Sequence, residues 1–101
     1  MLQRNVAPKN PENLAEALGL TAAEAEEWQV QHALLKKLRQ VVEADSLTHA
    51  EVARRSKSSR TRVTAILNGN LDGVSTDLLI RLLSSIGYRV RVSVSRIRPA
   101  A

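Results

Sequence analysis

The stretch from Leu47 to Gly69, LTHAEVARRSKSSRTRVTAILNG, decides how this chain is to be read. Thr48-His49-Ala50-Glu51 has the spacing of a capping box, in which the threonine hydroxyl accepts the amide three residues on and Glu51 reaches back to the Thr48 amide. Leu47 and Val52 stand where a hydrophobic staple requires them. This helix ends near Arg55, because Ser56-Lys57-Ser58-Ser59 is a run of poor helix formers. Ser58 or Ser59 caps the next helix, with Val63, Ile66 and Leu67 on one face. Asn68-Gly69 closes it, Gly69 being able to take the left-handed conformation that ends a helix.

Two short helices joined by a tight turn, the second with a polar outward face, make a helix-turn-helix. Ala50, Val52 and Ala53 are expected to pack against Val63, Ile66 and Leu67. At about 100° per residue, Thr61, Ala65 and Asn68 lie opposite the buried face, flanked by Arg62 and Thr64. Small residues there permit close approach to base edges, and threonine and alanine methyls suit the thymine methyl. Arg60 and Arg62 stand in the first turn, the part that enters a major groove. An arginine there bonds guanine O6 and N7 together or holds a phosphate. The candidate base-reading residues are therefore Arg60, Thr61, Arg62, Thr64 and Ala65, and the candidate phosphate contacts are Thr48, His49, Ser59 and Asn68.

The charge distribution agrees with this placement. Of the net charge of +5, residues 1–44 contribute −1 and residues 45–101 contribute +6, with five basic residues and no acid between Arg54 and Arg62. That run is either an electrostatic footprint for a polyanion or a solvated face. Trp28 and Tyr88 are the only aromatic residues. The core must then be aliphatic, and the stacking platforms that single-stranded nucleic acid needs are missing.

Outward from the motif, Thr21-Ala22-Ala23-Glu24 is another capping box, opening a helix to about Ala44. Trp28, Leu34, Leu35, Leu38, Val41 and Val42 form its apolar stripe, and Trp28 is read as a packing residue. Glu24, Glu26 and Glu27 are its acidic start, and the best candidate surface for a protein partner together with the N-terminal arm. Residues 13–20 suggest a short helix stopped by Gly19, after an aperiodic arm over residues 1–12. Downstream, Ser75 caps a helix with Leu79, Leu82, Leu83 and Ile86 as its stripe and Gly87 as its stop. From Tyr88 to Arg96 the period changes to two, so Val90, Val92 and Val94 alternate with polar residues as in a half-buried strand. A single strand leaves its main chain unpaired, so it is expected to pair with its copy in a second subunit or to pack as a tail. Tyr88, Val90, Val92 and Val94 are the candidate dimer interface. The expected organisation is an arm with a short helix over residues 1–20, a DNA-binding domain over 21–87 and a dimerisation strand and tail over 88–101.

Other chemistry finds little support. With no cysteine, a disulfide framework, a thiolate metal site and a cysteine nucleophile are excluded. His32 and His49 lack metal-ligand spacing to acids or to each other, and no phosphate-cradling glycine loop or nucleophile–base pair is present. The expectation is a non-enzymatic protein without cofactor or metal. No segment approaches the ~20 apolar residues of a membrane span, and no signal peptide is evident, so a cytoplasmic protein is expected.

Three segments also carry a resemblance. Leu-Thr-His-Ala-Glu-Val-Ala (47–53), Ser-Arg-Thr-Arg-Val-Thr-Ala-Ile-Leu-Asn-Gly (59–69) and Val-Ser-Thr-Asp-Leu-Leu-Ile-Arg-Leu-Leu (74–83), followed by Gly87, resemble the Xre/Cro-type domain of phage repressors. Residues 13–20, the long helix containing Trp28 and the segment 87–92 resemble HigA-like antitoxins. The resemblance implies an all-α, lambda-repressor-like bundle of about five helices, with one C-terminal β-strand pairing across a homodimer. Two recognition helices would then meet successive major grooves of double-stranded DNA, ~34 Å apart on an inverted repeat. It further implies a repressor of its own operon that neutralises a toxin protein. A stand-alone Xre-type regulator and a protein-interaction module are the alternatives. Two departures stand out: His49 replaces a glutamine that braces the recognition helix and touches phosphate, and Lys57 replaces a turn glycine. An imidazole can do part of the amide's work with some pH sensitivity, and lysine takes a left-handed conformation less readily than glycine.

Overall fold

The computed structural model describes residues 19–97 and contains, among them, four helices and no strand. These are α1 (Ala22–Ala44), α2 (His49–Ser56), α3 (Arg60–Leu67) and α4 (Thr76–Ser85). Each begins where a side chain captures a free amide. Thr21 and Glu24 exchange bonds of 3.1 and 2.9 Å, and Thr48 and Glu51 exchange two of 3.0 Å, so both capping boxes are complete. Ser59 Oγ accepts the Arg62 amide at 3.1 Å and Ser75 Oγ the Leu78 amide at 3.1 Å.

The helix ends repeat one device four times. The bonds Leu47 N to Val42 O, Ser58 N to Ala53 O, Asn70 N to Ala65 O and Tyr88 N to Leu83 O each wrap the chain back over the last turn, at 2.9 to 3.0 Å. A second bond of 2.9 to 3.4 Å, spanning three residues, runs inside each of them, as a Schellman ending requires. The geometry needs a left-handed residue. Gly69 and Gly87 supply it at two ends, but Ser46 (φ 52°) and Lys57 (φ 58°) supply it at the other two. The turn therefore keeps its shape although lysine stands where glycine would be easiest.

The core lies where all four helices meet. Leu38, Leu79 and Leu82 are completely buried, together with Val52 and Val63, and Leu35, Ile66 and Leu83 are nearly so. α1 packs against α4 and α3, and α2 packs against α3 and α4. Truncating a fully buried leucine such as Leu79 to alanine costs about 2–5 kcal/mol, a large share of what holds a domain this small. Gln31 ties α1 to the start of α4, its Nε2 donating to Val74 O at 3.1 Å and Thr76 Oγ1 at 3.3 Å.

Several expectations are corrected here. Trp28 is not part of the main core: it is 38% exposed beside a shallow groove shared with Leu20, Gln31 and Thr76, and the main core begins further along α1, at Leu34 and Leu35. Its ring stacks on His32, with centroids 3.7 Å apart. Ala50 is exposed, leaving Val52 and Ala53 to carry the α2 contact. Four helices are described rather than about five; the helix expected over 13–20 lies, up to Leu18, outside the described residues. Residues 88–97 form no strand within the single chain, and the expected pairing concerns a second copy. Among the described residues, no helix is long and apolar enough to cross a membrane.

Candidate nucleic-acid interface

α3 is eight residues long, and its buried side is Val63, Ile66 and Leu67. Its helical spacing sorts the remaining residues into three strips. Thr61, Ala65 and Asn68 form the outward strip; Arg60 and Thr64 share the flank toward α2, and Arg62 lies on the flank toward α4. Thr61 and Asn68 are exposed, whereas Ala65 is half-buried. All five basic residues from Arg54 to Arg62 are exposed, at the end of α2, in the turn and in the first turn of α3.

Two side chains from other helices and one of its own hold this helix. His49, the first residue of α2, shares a 2.8 Å hydrogen bond between Nδ1 and Thr64 Oγ1. Arg39, from the C-terminal third of α1, donates its Nε to the Leu67 carbonyl oxygen at 2.9 Å, satisfying a carbonyl in the last turn of α3. Arg62 donates Nη2 to Gly73 O at 3.2 Å, fixing α3 to the loop before α4. Gly69 sits against the Arg39 clamp: a Cβ there would stand 3.1 Å from Arg39 Nη2, at φ 97°. An open cavity of about 500 Å³ runs beside these contacts, lined by Arg39, Glu43, His49 and Asn68 among others.

The candidate DNA residues are thus brought to one side of the molecule, but with unequal freedom. Arg60 and Thr61 are exposed in the first turn of α3. Thr64 is half-buried and turned to His49, which makes it a bracing residue as well as a groove-side one. Arg62 is engaged with the loop, on the opposite flank from Arg60. The Thr48 hydroxyl is occupied both ways, accepting the Glu51 amide and lying 3.3 Å from its Oε1. The hydrogen bonds from the Thr48 amide and hydroxyl, with Arg55 and Arg54 nearby, hold the Glu51 carboxyl below its ordinary value. An ionised carboxylate at that helix end opposes an anion, which leaves the His49 ring better placed than the Thr48 hydroxyl to meet a phosphate. Ser59 Oγ is likewise committed to the Arg62 amide as acceptor.

The expected dimer residues divide into two groups. Tyr88 and Val90 pack on the chain's own core. The Tyr88 hydroxyl donates to Asp45 Oδ2 at 2.8 Å, and this bond, with some burial and the Asp45 charge, raises the phenol above its usual range. Val92 and Val94 are 80% and 90% exposed, and Ile97 is 77% exposed. An apolar groove of about 300 Å³ adjoins Val92, lined also by Val30, Leu34 and Ile80 among others. Arg39 is the contributor that the sequence conceals. Nothing local to its place on α1 signals the contact, which spans 28 residues.

A family model described as a helix-turn-helix domain matches residues 15–95. No curated protein and no solved structure matches the chain significantly.

Proposed function

The chain belongs to this helix-turn-helix domain family and is by that membership a DNA-binding regulator; from that premise we propose that it is a sequence-specific repressor acting as a homodimer on an inverted repeat. The observation that carries the reading is α3 itself. It is held from α1, from α2 and from the following loop, and it presents Thr61 and Ala65 between Arg60 on one flank and Arg62 on the other. Small outward residues flanked by arginines suit a major groove, where arginine reads guanine and methyl groups read thymine. The five exposed basic residues from Arg54 to Arg62 supply the phosphate attraction that steers and holds any such complex.

In this reading the segment after Gly87 joins two subunits. Val92 and Val94 are large apolar side chains left in water by a single chain, next to an apolar groove. Main-chain pairing with the same segment of a second copy satisfies its amides and covers those side chains. The resemblance to HigA-like antitoxins extends the proposal: the repressor acts on its own promoter, and an adjacent gene encodes a toxin that it neutralises.

The test is a gel-shift with the DNA upstream of the gene, with and without the product of the neighbouring gene. Specific retardation that is altered by the neighbouring product supports an autoregulating antitoxin. Retardation indifferent to that product makes the chain a stand-alone regulator. No binding even at low salt, with tolerance of an Arg60→Ala, Arg62→Ala double change, makes it a protein-interaction module. Arg60→Ala should relax specificity at one base pair, at a cost of ~1–3 kcal/mol, if its contact is bidentate.

A further inference from the structure

We propose that His49 makes DNA binding proton-linked, its imidazole taking up a proton as the ring meets a backbone phosphate. This inference rests on the DNA-binding reading above. His49 is one of two histidines in the chain, and it stands at the junction of both helices of the motif. Nδ1 is held by Thr64 at 2.8 Å, which leaves Nε2, on the far edge of the half-buried ring, as the atom for an outside partner. Thr64 and Arg60 are one helical turn apart on the same flank, so DNA seated on α3 brings a sugar-phosphate strand toward that edge.

The partner at Nδ1 suits a titrating ring. A hydroxyl both donates and accepts, so Thr64 serves the neutral imidazole as donor and the imidazolium as acceptor. The ring therefore keeps its orientation in both charge states, and Nε2 remains a donor in both. What changes is the charge. Imidazolium facing a phosphate is a charge-assisted bond, whereas neutral imidazole makes an ordinary one. A phosphate at Nε2 must then raise the affinity of the ring for its proton, and by linkage a lower pH must tighten the complex.

The other charged groups around the ring do not reproduce this effect. From α1, Arg39 and Glu43 share its cavity; from α3, Arg60 lies on its flank; on its own helix, Glu51 is bound to Thr48. As side-chain types, arginine and the carboxylic acids have their ordinary pKa values outside the histidine range. His32 is stacked on Trp28 in the first half of α1, away from α3.

The experiment is fluorescence anisotropy with a labelled duplex from the gene's upstream region, at fixed salt, from about pH 8 to about pH 6. The chain as it stands should bind about three- to tenfold tighter per His49 at the acid end, tenfold being one pKa unit of proton linkage. His49→Gln, which retains a phosphate donor without a titrating proton, should bind with a flat profile. His32→Gln should keep the full slope. Calorimetry of the unaltered protein near pH 7, in buffers of different ionisation enthalpy, should show net proton uptake on binding. That measurement needs no variant to fold. A flat profile or absent uptake in a protein that binds the duplex overturns the inference, as does a slope retained by His49→Gln. Failure to bind any duplex at low salt instead overturns the DNA-binding reading.

Discussion

Lys57 is the most informative residue to change, because its conformation and its chemistry disagree. It sits at φ 58°, ψ 38°, and its side chain is exposed. For a residue with a Cβ the left-handed region costs roughly 1–2 kcal/mol. Glycine removes that cost but loses more freedom on folding, which takes back about 0.4–1 kcal/mol. Lys57→Gly should therefore stabilise the protein by about 0.8 kcal/mol, or about 3–6 °C in Tm for a domain of this size. The substitution also removes one positive charge from a crowded run, which alone relieves some repulsion. Lys57→Ala separates the two effects, since alanine loses the same charge but keeps the Cβ and the strain. Urea and thermal denaturation followed by circular dichroism, at neutral pH, measure both variants on one scale. The decisive quantity is the difference between them. If Lys57→Gly is no more stable than Lys57→Ala, the turn does not hold a strained residue and the reasoning fails.

Gly69→Ala should act in the opposite direction, destabilising by about 1–2 kcal/mol, because φ is 97° and the new Cβ would press on Arg39 Nη2. Denaturation of that variant in an Arg39→Ala background should recover only the part due to the clash. Glu51→Gln should blunt acid sensitivity: the lowered carboxyl of Glu51 contributes stability fully above the ordinary 4.5 and loses it as pH falls through the depressed value. An acid titration of stability that is unchanged by Glu51→Gln would remove the capping box from the account. Truncation after Gly87, or Val92→Asp, should turn a dimer into a monomer by analytical ultracentrifugation and weaken operator binding. A truncated protein that remains dimeric and binds equally well rules out the C-terminal pairing.

What the sequence made legible is what is decided within a few residues. The four N-caps are local signals, since Thr21, Thr48, Ser59 and Ser75 each act on an amide three residues on. The left-handed glycines at 69 and 87 are legible for the same reason. Ser46 and Lys57 in that conformation are not, because a strain near 1 kcal/mol is outweighed by the core contacts that the turn secures. The bonds that finish the site cross long separations. Arg39 reaches Leu67, and Tyr88 reaches Asp45, and no pattern in composition or period announces either. Trp28 has the spacing of the stripe, yet the main core begins only at Leu34 and Leu35, a boundary that periodicity does not mark.

The long-range bonds also explain how so short a helix serves as a reading head. An eight-residue helix is marginal alone, and Thr61, Val63, Thr64 and Ile66 are β-branched residues that lose side-chain freedom in it. Its order must come from outside: from the core beneath it, from Arg39 on a carbonyl of its last turn, and from His49 on its flank. The residues that hold α3 and those on its outward strip are therefore largely different residues. Thr61 and Asn68 contribute little to its stability, so a change at Thr61 should leave stability within about 0.5 kcal/mol while altering what the helix binds. Thr64 stands on the boundary, since it braces α3 through His49 and also borders the groove side. A change there is expected to affect stability and recognition together. Holding the face rigid before DNA arrives means that binding need not order it, which is where such a small surface gains affinity.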